Sequence, residues 1–501
     1  MGKELEKTLS CDLSKRIRCK ELLSKLSSVE SAVSLIQNGM TVGVCSDLLP
    51  LCEALEKQRR EGRNLQIQLW SGVAILQADR ILGKAGMIKR RIGQQTLLRT
   101  PINARQVEYL DTPLGFFYQG IRGGELGPLD LAILEAVGIT KEGNLIPACR
   151  LHDMPNFARA ARQVVIQLST SYPLDFEGMH DVYLPDNPPH KKPISILRAD
   201  DRVGTPYIPL DPQKVACIYV SEHPETVEMT ESFDETSQRI ARNLVDFLRK
   251  EVAGDKLPPA LLPMEIGLGM IPTAVLNELG NSDFENLEFY SAVLNDGILD
   301  LMAKGKVKTA SGTGFFLSSR GEKKLLQNLA EYKNRIVLRP VEIADCPEVI
   351  MRLGVLALNG AIEADIYGNV NSSHITNGDI VSGVGGASEF ALNAYLSVIL
   401  LPSTTKGGNI SSIVPMASHV DIPEHGVDVI VTEQGAADLR GLTPGERARR
   451  IIQSCAHPAY RRILQDYFDR AVKEGGGHEP HLLDEALSFH SRFLKTGSMK
   501  K

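Results

Sequence analysis

The sequence predicts an α/β protein built as two tandem, related α/β domains with mainly parallel sheets. Three observations lead there. Short apolar runs alternate with amphipathic helical patterns along the whole chain. A chain of 501 residues exceeds what one ordinary core organises. The two halves also share a residue pattern at a nearly constant spacing.

Taken in order, the strand-like runs are 41–45 (TVGVC), 163–168 (QVVIQL), 214–220 (KVACIYV), 396–401 (LSVILL) and 426–432 (GVDVIVT). Runs this apolar suit strands covered on both faces, as parallel sheets are. Helical patterns lie at 31–38, 236–252, 322–333 and 444–454. The internal match sets 131–145 (LAILEAVGITKEGNL) against 356–370 (LALNGAIEADIYGNV), an offset of 356 − 131 = 225. A second block sets 156–168 (NFARAARQVVIQL) against 389–401 (EFALNAYLSVILL), an offset of 389 − 156 = 233. Two blocks in the same order indicate two copies of one α/β unit. The second copy carries 233 − 225 = 8 extra residues between the blocks, and GVGG (383–386) lies among them. Glycines there allow a backbone to approach a ligand with its N–H groups, which assigns the chemistry to the second half. The expected domains are 1–225 and 226–501, joined after the proline-rich stretch 185–212 through a polar linker over 221–237.

Composition narrows the function. Hydrophobic content of 43%, charged content of 23% and a net charge of −5 describe a globular protein without the basic footprint of a nucleic-acid binder. Arg447, Arg449 and Arg450 form a local basic cluster, read as a solvated helix face rather than a phosphate contact. Eight cysteines without a CxxC pair read as reduced core thiols. The first residues, MGKELEKTLSCDLSKR, have no apolar segment of the secretory kind, and no apolar run approaches the ~18 residues of a membrane span. The expected location is the cytoplasm, or the mitochondrial matrix in a eukaryote.

Three motifs bear on chemistry. In EIGLGMIPTAVLNELG (265–280), Gly267 and Gly269 precede Pro272, a residue suited to the first turn of a helix that Gly280 would cap. Such a turn is an anion or oxyanion site in some proteins and a plain strand-to-helix turn in others. FYSAVLNDGILD (289–300) reads as a strand followed by a turn at Asp296-Gly297. SHVDIPEH (418–425) offers His419, Asp421 and His425, but their spacing follows no familiar ligand pattern, and a hydrogen-bonded loop is the favoured reading.

Several of these stretches, with RIVLRPVEIADCPEVIMRLGVLALNGAIEADIYGNVNSSH (335–374), GVGGASEFALNAYLS (383–397), IVPMASHVDIPEH (413–425) and VTEQGAADLRGLTPGERA (431–448), resemble the class I CoA-transferases. The resemblance is to the branch of acetyl-CoA hydrolases and succinyl-CoA:acetate or propionyl-CoA:succinate CoA-transferases. It implies homodimers acting on acyl-CoA and small carboxylates, with no metal and no cofactor beyond the substrate coenzyme A. It also implies a glutamate that attacks the thioester, forms an acyl anhydride and then carries CoA as a glutamyl thioester. By this resemblance Gly386 is the oxyanion-hole glycine, with a second donor near Leu268 to Ile271. Asn359 and Glu433 line the reacting carboxylates. Lys406 and Ser382 lie at the CoA site, with Gly267 and Gly269 in the adjoining turn.

The nucleophilic glutamate itself is missing. The resemblance puts it at 292, where this chain has alanine in YSAVLNDG (290–297). A methyl group forms no anhydride, and Asp296, four residues along a strand, would stand about 13 Å away. Ser382 replaces an asparagine of the pattern, and ACRLHDMPNF (148–157) replaces a glycine-rich segment. Three accounts accommodate Ala292. One is an engineered Glu→Ala change in an ordinary transferase. Another is a natural relative that binds acyl-CoA without transferring it. The third is a hydrolase in which water fills the space, with Glu433 as base.

Overall fold

A computed structural model describes residues 13–73, 76–94, 97–224 and 232–500. The chain divides into two compact units, one of Met1–Val227 with Ala310–Cys346 and the other of Glu228–Thr309 with Pro347–Lys501. The units are interleaved, so neither corresponds to one unbroken half of the sequence.

In the first unit, strands β1 (Thr41–Val44), β2 (Ile67–Trp70), β3 (Ile88–Ile92), β4 (Glu108–Leu110), β5 (Leu131–Ile139), β6 (Leu145–Pro147), β7 (Gln163–Ser169) and β8 (Val215–Ser221) form one sheet. Its order is β4-β3-β2-β1-β5-β7-β8, with β6 antiparallel on β5 and the other pairs parallel. All nine residues of β5 are buried, as a central strand covered on both faces requires. Helix α1 (Met154–Ala160) leads into β7.

The second unit repeats this plan. Its strands are β9 (Met264–Ile266), β10 (Leu287–Tyr290), β11 (Leu356–Gly360), β12 (Leu396–Leu400), β13 (Val429–Thr432) and β14 (Gly435–Asp438), in the order β10-β9-β11-β12-β13-β14. Only β14 runs antiparallel to its neighbour. Helix α2 (Glu235–Ala253) begins where the Asp234 carboxylate caps the Ser237 amide, and it buries Ile240, Ala241, Leu244, Val245 and Leu248 at helical spacing. Helices α3 (Met270–Asn281), α4 (Asp296–Ala303), α5 (Ala387–Asn393) and α6 (Pro444–Ser454) complete the elements used below.

The register carries the internal match further than the residue identities do. Leu131 pairs with Val42 and Gln163, and Leu356 pairs with Met264 and Leu396. The offsets 356 − 131 = 225 and 396 − 163 = 233 are those of the two sequence blocks. Helix α5 begins and ends at the α1 bounds plus 387 − 154 = 233. Because Val42 also faces Leu69, and Met264 faces Phe289, Leu69 corresponds to Phe289. Two strand ends therefore align as Trp70-Ser71-Gly72 and Tyr290-Ser291-Ala292.

Some local expectations give way to the structure. Asp296-Gly297 opens helix α4 instead of a turn, because the Asn295 side chain accepts from the Ile298 amide and caps it. Asp296 is thus not farther along a strand from Ala292. Gly280 lies inside the last turn of α3, which Ser282 rather than glycine caps. The pattern at 322–333 is two helices, Ser319–Gln327 and Leu329–Tyr332, broken at Asn328. Arg447 is not solvated. It is buried against the capping-box end of α6, and its guanidinium donates to the Tyr367 and Glu424 carbonyls at 2.8 Å each. The seven cysteines among the described residues are all buried. Residues 1–12, Cys11 among them, and linker positions 225–231 lie outside the described residues.

Candidate active site at the carboxyl edge of the second sheet

A parallel sheet places the carboxyl ends of its strands along one edge, and ligands favour the point where chain order reverses. In the second unit that point lies between β9, whose connection runs outward to β10, and β11, whose connections run the other way to β12 and β13. The candidate residues gather along this edge. Gly267 and Gly269 follow β9, Ala292 follows β10, Asn359 is the penultimate residue of β11, and Glu433 follows β13. Gly386 precedes α5, the helix leading into β12, with φ −94° and ψ 0°.

The edge is both pinned and open. The Ser291 hydroxyl donates to the Ile266 carbonyl at 3.1 Å and accepts from its amide at 3.2 Å, locking the ends of β10 and β9 together. The Asn295 amide reaches the Gly267 carbonyl at 3.4 Å. Gly269 has φ 120°, a conformation suited to glycine, and it feeds directly into α3. A Cβ added at Gly267, Gly269 or Gly360 would meet nothing within 4 Å, so the mouths of β9 and β11 face open space.

Glu433 is held tightly. It is buried, and its carboxylate accepts the Ser403 amide at 2.8 Å, the Ser403 hydroxyl and the Gln434 side-chain amide at 2.8 Å. Burial pushes its pKa up, but the Ser403 and Gln434 hydrogen bonds outweigh that and leave the carboxyl below its ordinary value. Its strand end is anchored by α2, where Asn243 donates to the Thr432 carbonyl at 2.8 Å and Arg239 to the Glu433 carbonyl at 3.0 Å.

Asn359 is 5% exposed, and its Nδ2 has no hydrogen-bond partner among the described residues. Glu265, in the middle of β9, is equally buried, and its Oε2 also has no partner there. Burial pushes the Glu265 pKa up to about 8, against a smaller opposing effect of the Leu358 amide. Sequence reasoning passed over Glu265 because it read EIGLGMIP for its glycines. The available signal was a charged residue ending an apolar run, which is costly to bury without a purpose.

Two candidates stand apart from this group. Lys406 is exposed on the turn between Thr404–Thr405 and Ile410–Ser411, with φ 47° and its ammonium 5.0 Å from the Phe493 ring centroid. Ser382 is half-buried in the loop before α5. Elsewhere, His419 and Asp421 lie together, but the third member of their group is His374, not His425. Their ligand atoms fall within 4.8 Å of one another. The Asp421 carboxylate already accepts from the Ser372 amide, the Ser372 and Ser373 hydroxyls and the His419 ring, so hydrogen bonding accounts for the group. His425 is 84% exposed beside Glu424.

Fold and edge together define an α/β protein with an open carboxyl edge at the switch point of its second sheet. Residues 10–220 match the acetyl-CoA hydrolase/transferase N-terminal domain, and residues 321–468 match the C-terminal domain of the same name. The chain is 41% identical over 496 residues to the succinyl-CoA:acetate CoA-transferase of Clostridium kluyveri, covering 97% of this chain and 92% of that protein. It is 38% identical over 515 residues to the acetyl-CoA hydrolase of Schizosaccharomyces pombe, covering 97% and 98%. The 4-hydroxybutyrate CoA-transferase of Porphyromonas gingivalis shares the fold, with a TM-score of 0.64 at 19% identity over 94% of this chain and 100% of that one. This chain belongs to the acetyl-CoA hydrolase/transferase family of CoA-transferases. No helix among the described residues is long and apolar enough to cross a membrane.

Proposed function

We infer that this protein binds the CoA thioester of a small carboxylic acid at the carboxyl edge of its second sheet, with CoA transfer through residue 292 disabled. The observation that carries this reading is the edge itself. Asn359 and the Gly267–Gly269 turn flank one switch point, with residue 292 at the next strand end bringing only a methyl group and Glu433 two strands from Asn359 along the same edge. A thioester carbonyl lying there would have its developing oxyanion met by backbone N–H groups, with Gly386 as one donor. Ser382 and Lys406 would contact CoA, Lys406 by moving off the Phe493 ring. Glu433, kept ionised by Ser403 and Gln434, orders the polar side of the site.

The parent reaction is transfer of CoA between acyl-CoA thioesters and carboxylates such as acetate, propionate or succinate. It needs no metal and no cofactor beyond the substrate. The assembly is a homodimer in the cytoplasm, without nucleic-acid or membrane partners. The test is CoA exchange between succinyl-CoA and acetate, measured on this protein and on Ala292→Glu. Exchange is expected only from Ala292→Glu, with a gain of about 10³-fold or more, the scale on which losing a nucleophile acts. Comparable exchange without the substitution would overturn the assignment of position 292, and acyl-CoA binding to neither protein would overturn the reading of the site.

A further inference from the structure

A buried carboxyl group that the transfer chemistry does not use stands one strand from position 292. Glu265 is 4% exposed. Since Met264 faces Phe289 on β10 and Glu265 faces Ala357 on β11, Glu265 is level with Tyr290 on one side and Ala357 on the other. Residues level in a sheet share a face, and so do residues two apart along a strand. Glu265 therefore shares its face with Asn359, one strand across and two residues nearer the carboxyl edge. Strand spacing of about 4.8 Å and rise of about 3.3 Å per residue put their Cα atoms about 8 Å apart.

Each of these neighbours has one buried polar atom without a partner, Oε2 of Glu265 and Nδ2 of Asn359. One is an acceptor when ionised and the other is a donor. Two side chains that share a face with their Cα atoms this far apart are within reach of a single bridging water molecule, and buried polar groups of this kind are ordinarily satisfied by one. The water would lie beside the open mouths of β9 and β11, where Gly267, Gly269 and Gly360 leave room for an acyl group.

We propose that Glu265 is the general base of thioester hydrolysis in this protein, acting on a water that it shares with Asn359. The inference rests on acyl-CoA binding at this edge. The Glu265 carboxylate takes a proton from the water as the water oxygen bonds to the thioester carbonyl carbon. The C–S bond then breaks, and its electron pair leaves on the CoA sulfur. The proton on Glu265 passes to that thiolate, giving a free acid and CoA thiol from one thioester and one water. A carboxyl that burial raises to about 8 is a stronger base, once ionised, than an ordinary glutamate. The methyl group at 292 suits this chemistry, because a carboxylate there would capture the acyl group before water did.

The test uses the full chain with acetyl-CoA, following thiol release alongside calorimetric binding of CoA. The unchanged protein is expected to release thiol without exchanging CoA into added acetate. Glu265→Gln, which keeps size and polarity, is expected to lower the rate by about 10²–10⁴-fold with CoA affinity retained. Glu265→Asp, which keeps the acid but withdraws it by one methylene, is expected to retain part of the rate. Binding without thiol release from the unchanged protein overturns the proposal and leaves the reading of the site intact. So does a Glu265→Gln rate within threefold of the unchanged protein, or borohydride reduction of the Glu265 side chain to an alcohol after incubation with acetyl-CoA, the mark of a glutamyl-CoA thioester. Absence of CoA binding overturns both.

Discussion

Asp153 and Gly386 occupy the same place in two copies of one architecture. Each immediately precedes the short helix leading into a central strand, at 386 − 153 = 233, and their backbones match at φ/ψ of −88°/0° and −94°/0°. The Asp153 side chain turns back to accept the Gly72 amide at 3.0 Å, at the strand end that corresponds to Ala292. The first unit thus plugs its own carboxyl edge with a carboxylate, fully buried and raised to about 7 by that burial. Gly386 leaves the corresponding place in the second unit without a side chain. The difference teaches that the duplicated scaffold does not create a site by itself. The second unit has no side chain at the place where Asp153 closes the first, and the extra residues around GVGG directly precede that place.

The sharpest way to break this comparison is to carry the plug across. Gly386→Asp asks for no new backbone conformation, since Asp153 already adopts the same angles. In the Ala292→Glu background it is expected to lower CoA exchange by about 10²-fold or more, as the carboxylate occupies the oxyanion position and repels the substrate. The melting temperature should change little. Exchange undiminished by the added aspartate would mean that the two edges are alike only in backbone.

A second difference lies in how each edge treats its buried acid. Each acid has one backbone amide to oppose its rise, but Asp153 also feels the charge of Glu342, whereas Glu265 is raised from 4.5 to about 8 by burial alone. The folded protein therefore holds a proton on Glu265 up to about pH 8, while the unfolded chain releases it near 4.5. The stability linked to that proton is full below pH 4.5 and is lost as pH rises toward 8. Glutamine has no proton to lose. Glu265→Gln is expected to melt with the unchanged protein at pH 4.5 but to be more stable at pH 8 by about 4 kcal/mol. Equal melting temperatures at both pH values would show that the carboxyl is solvated, and with it the water site would lose its basis.

The architecture was legible because parallel strands announce themselves. The runs at 41–45, 163–168 and 396–401 form β1, β7 and β12, and the offsets 225 and 233 reappear as strand register. What stayed hidden depends on contacts between distant residues. Ala310–Cys346 joins the first unit although it lies deep in the second half, and no local pattern marks that return. Arg447 looked like one of three surface arginines, and its burial follows from carbonyls at Tyr367 and Glu424. The edge residues Asn359, Glu433 and Gly386 were reached through resemblance. Glu265 was missed because a lone glutamate in a short strand just ahead of a glycine turn carries no periodic signal. The correspondence of Asp153 with Gly386 was within reach of the 233 offset, but it needed the backbone angles to give it meaning.

The smallest effects lie at the two aligned strand ends, where the residues can be exchanged. A Cβ placed on Gly72 would come 2.1 Å from Asp153 Oδ2, so Gly72→Ala must displace the carboxylate and weaken its hydrogen bond to the residue-72 amide. A forced shift of this kind in a packed interior costs about 1–3 kcal/mol. Ala292→Gly removes a half-buried methyl group and adds backbone freedom, which costs about 0.5–1 kcal/mol. Thermal melts should place Gly72→Ala below Ala292→Gly by a few degrees, since about 1 kcal/mol shifts units of this size by about 2–4 °C. The reverse order would mean that the second edge is packed as tightly as the first, leaving no room there for an acyl group.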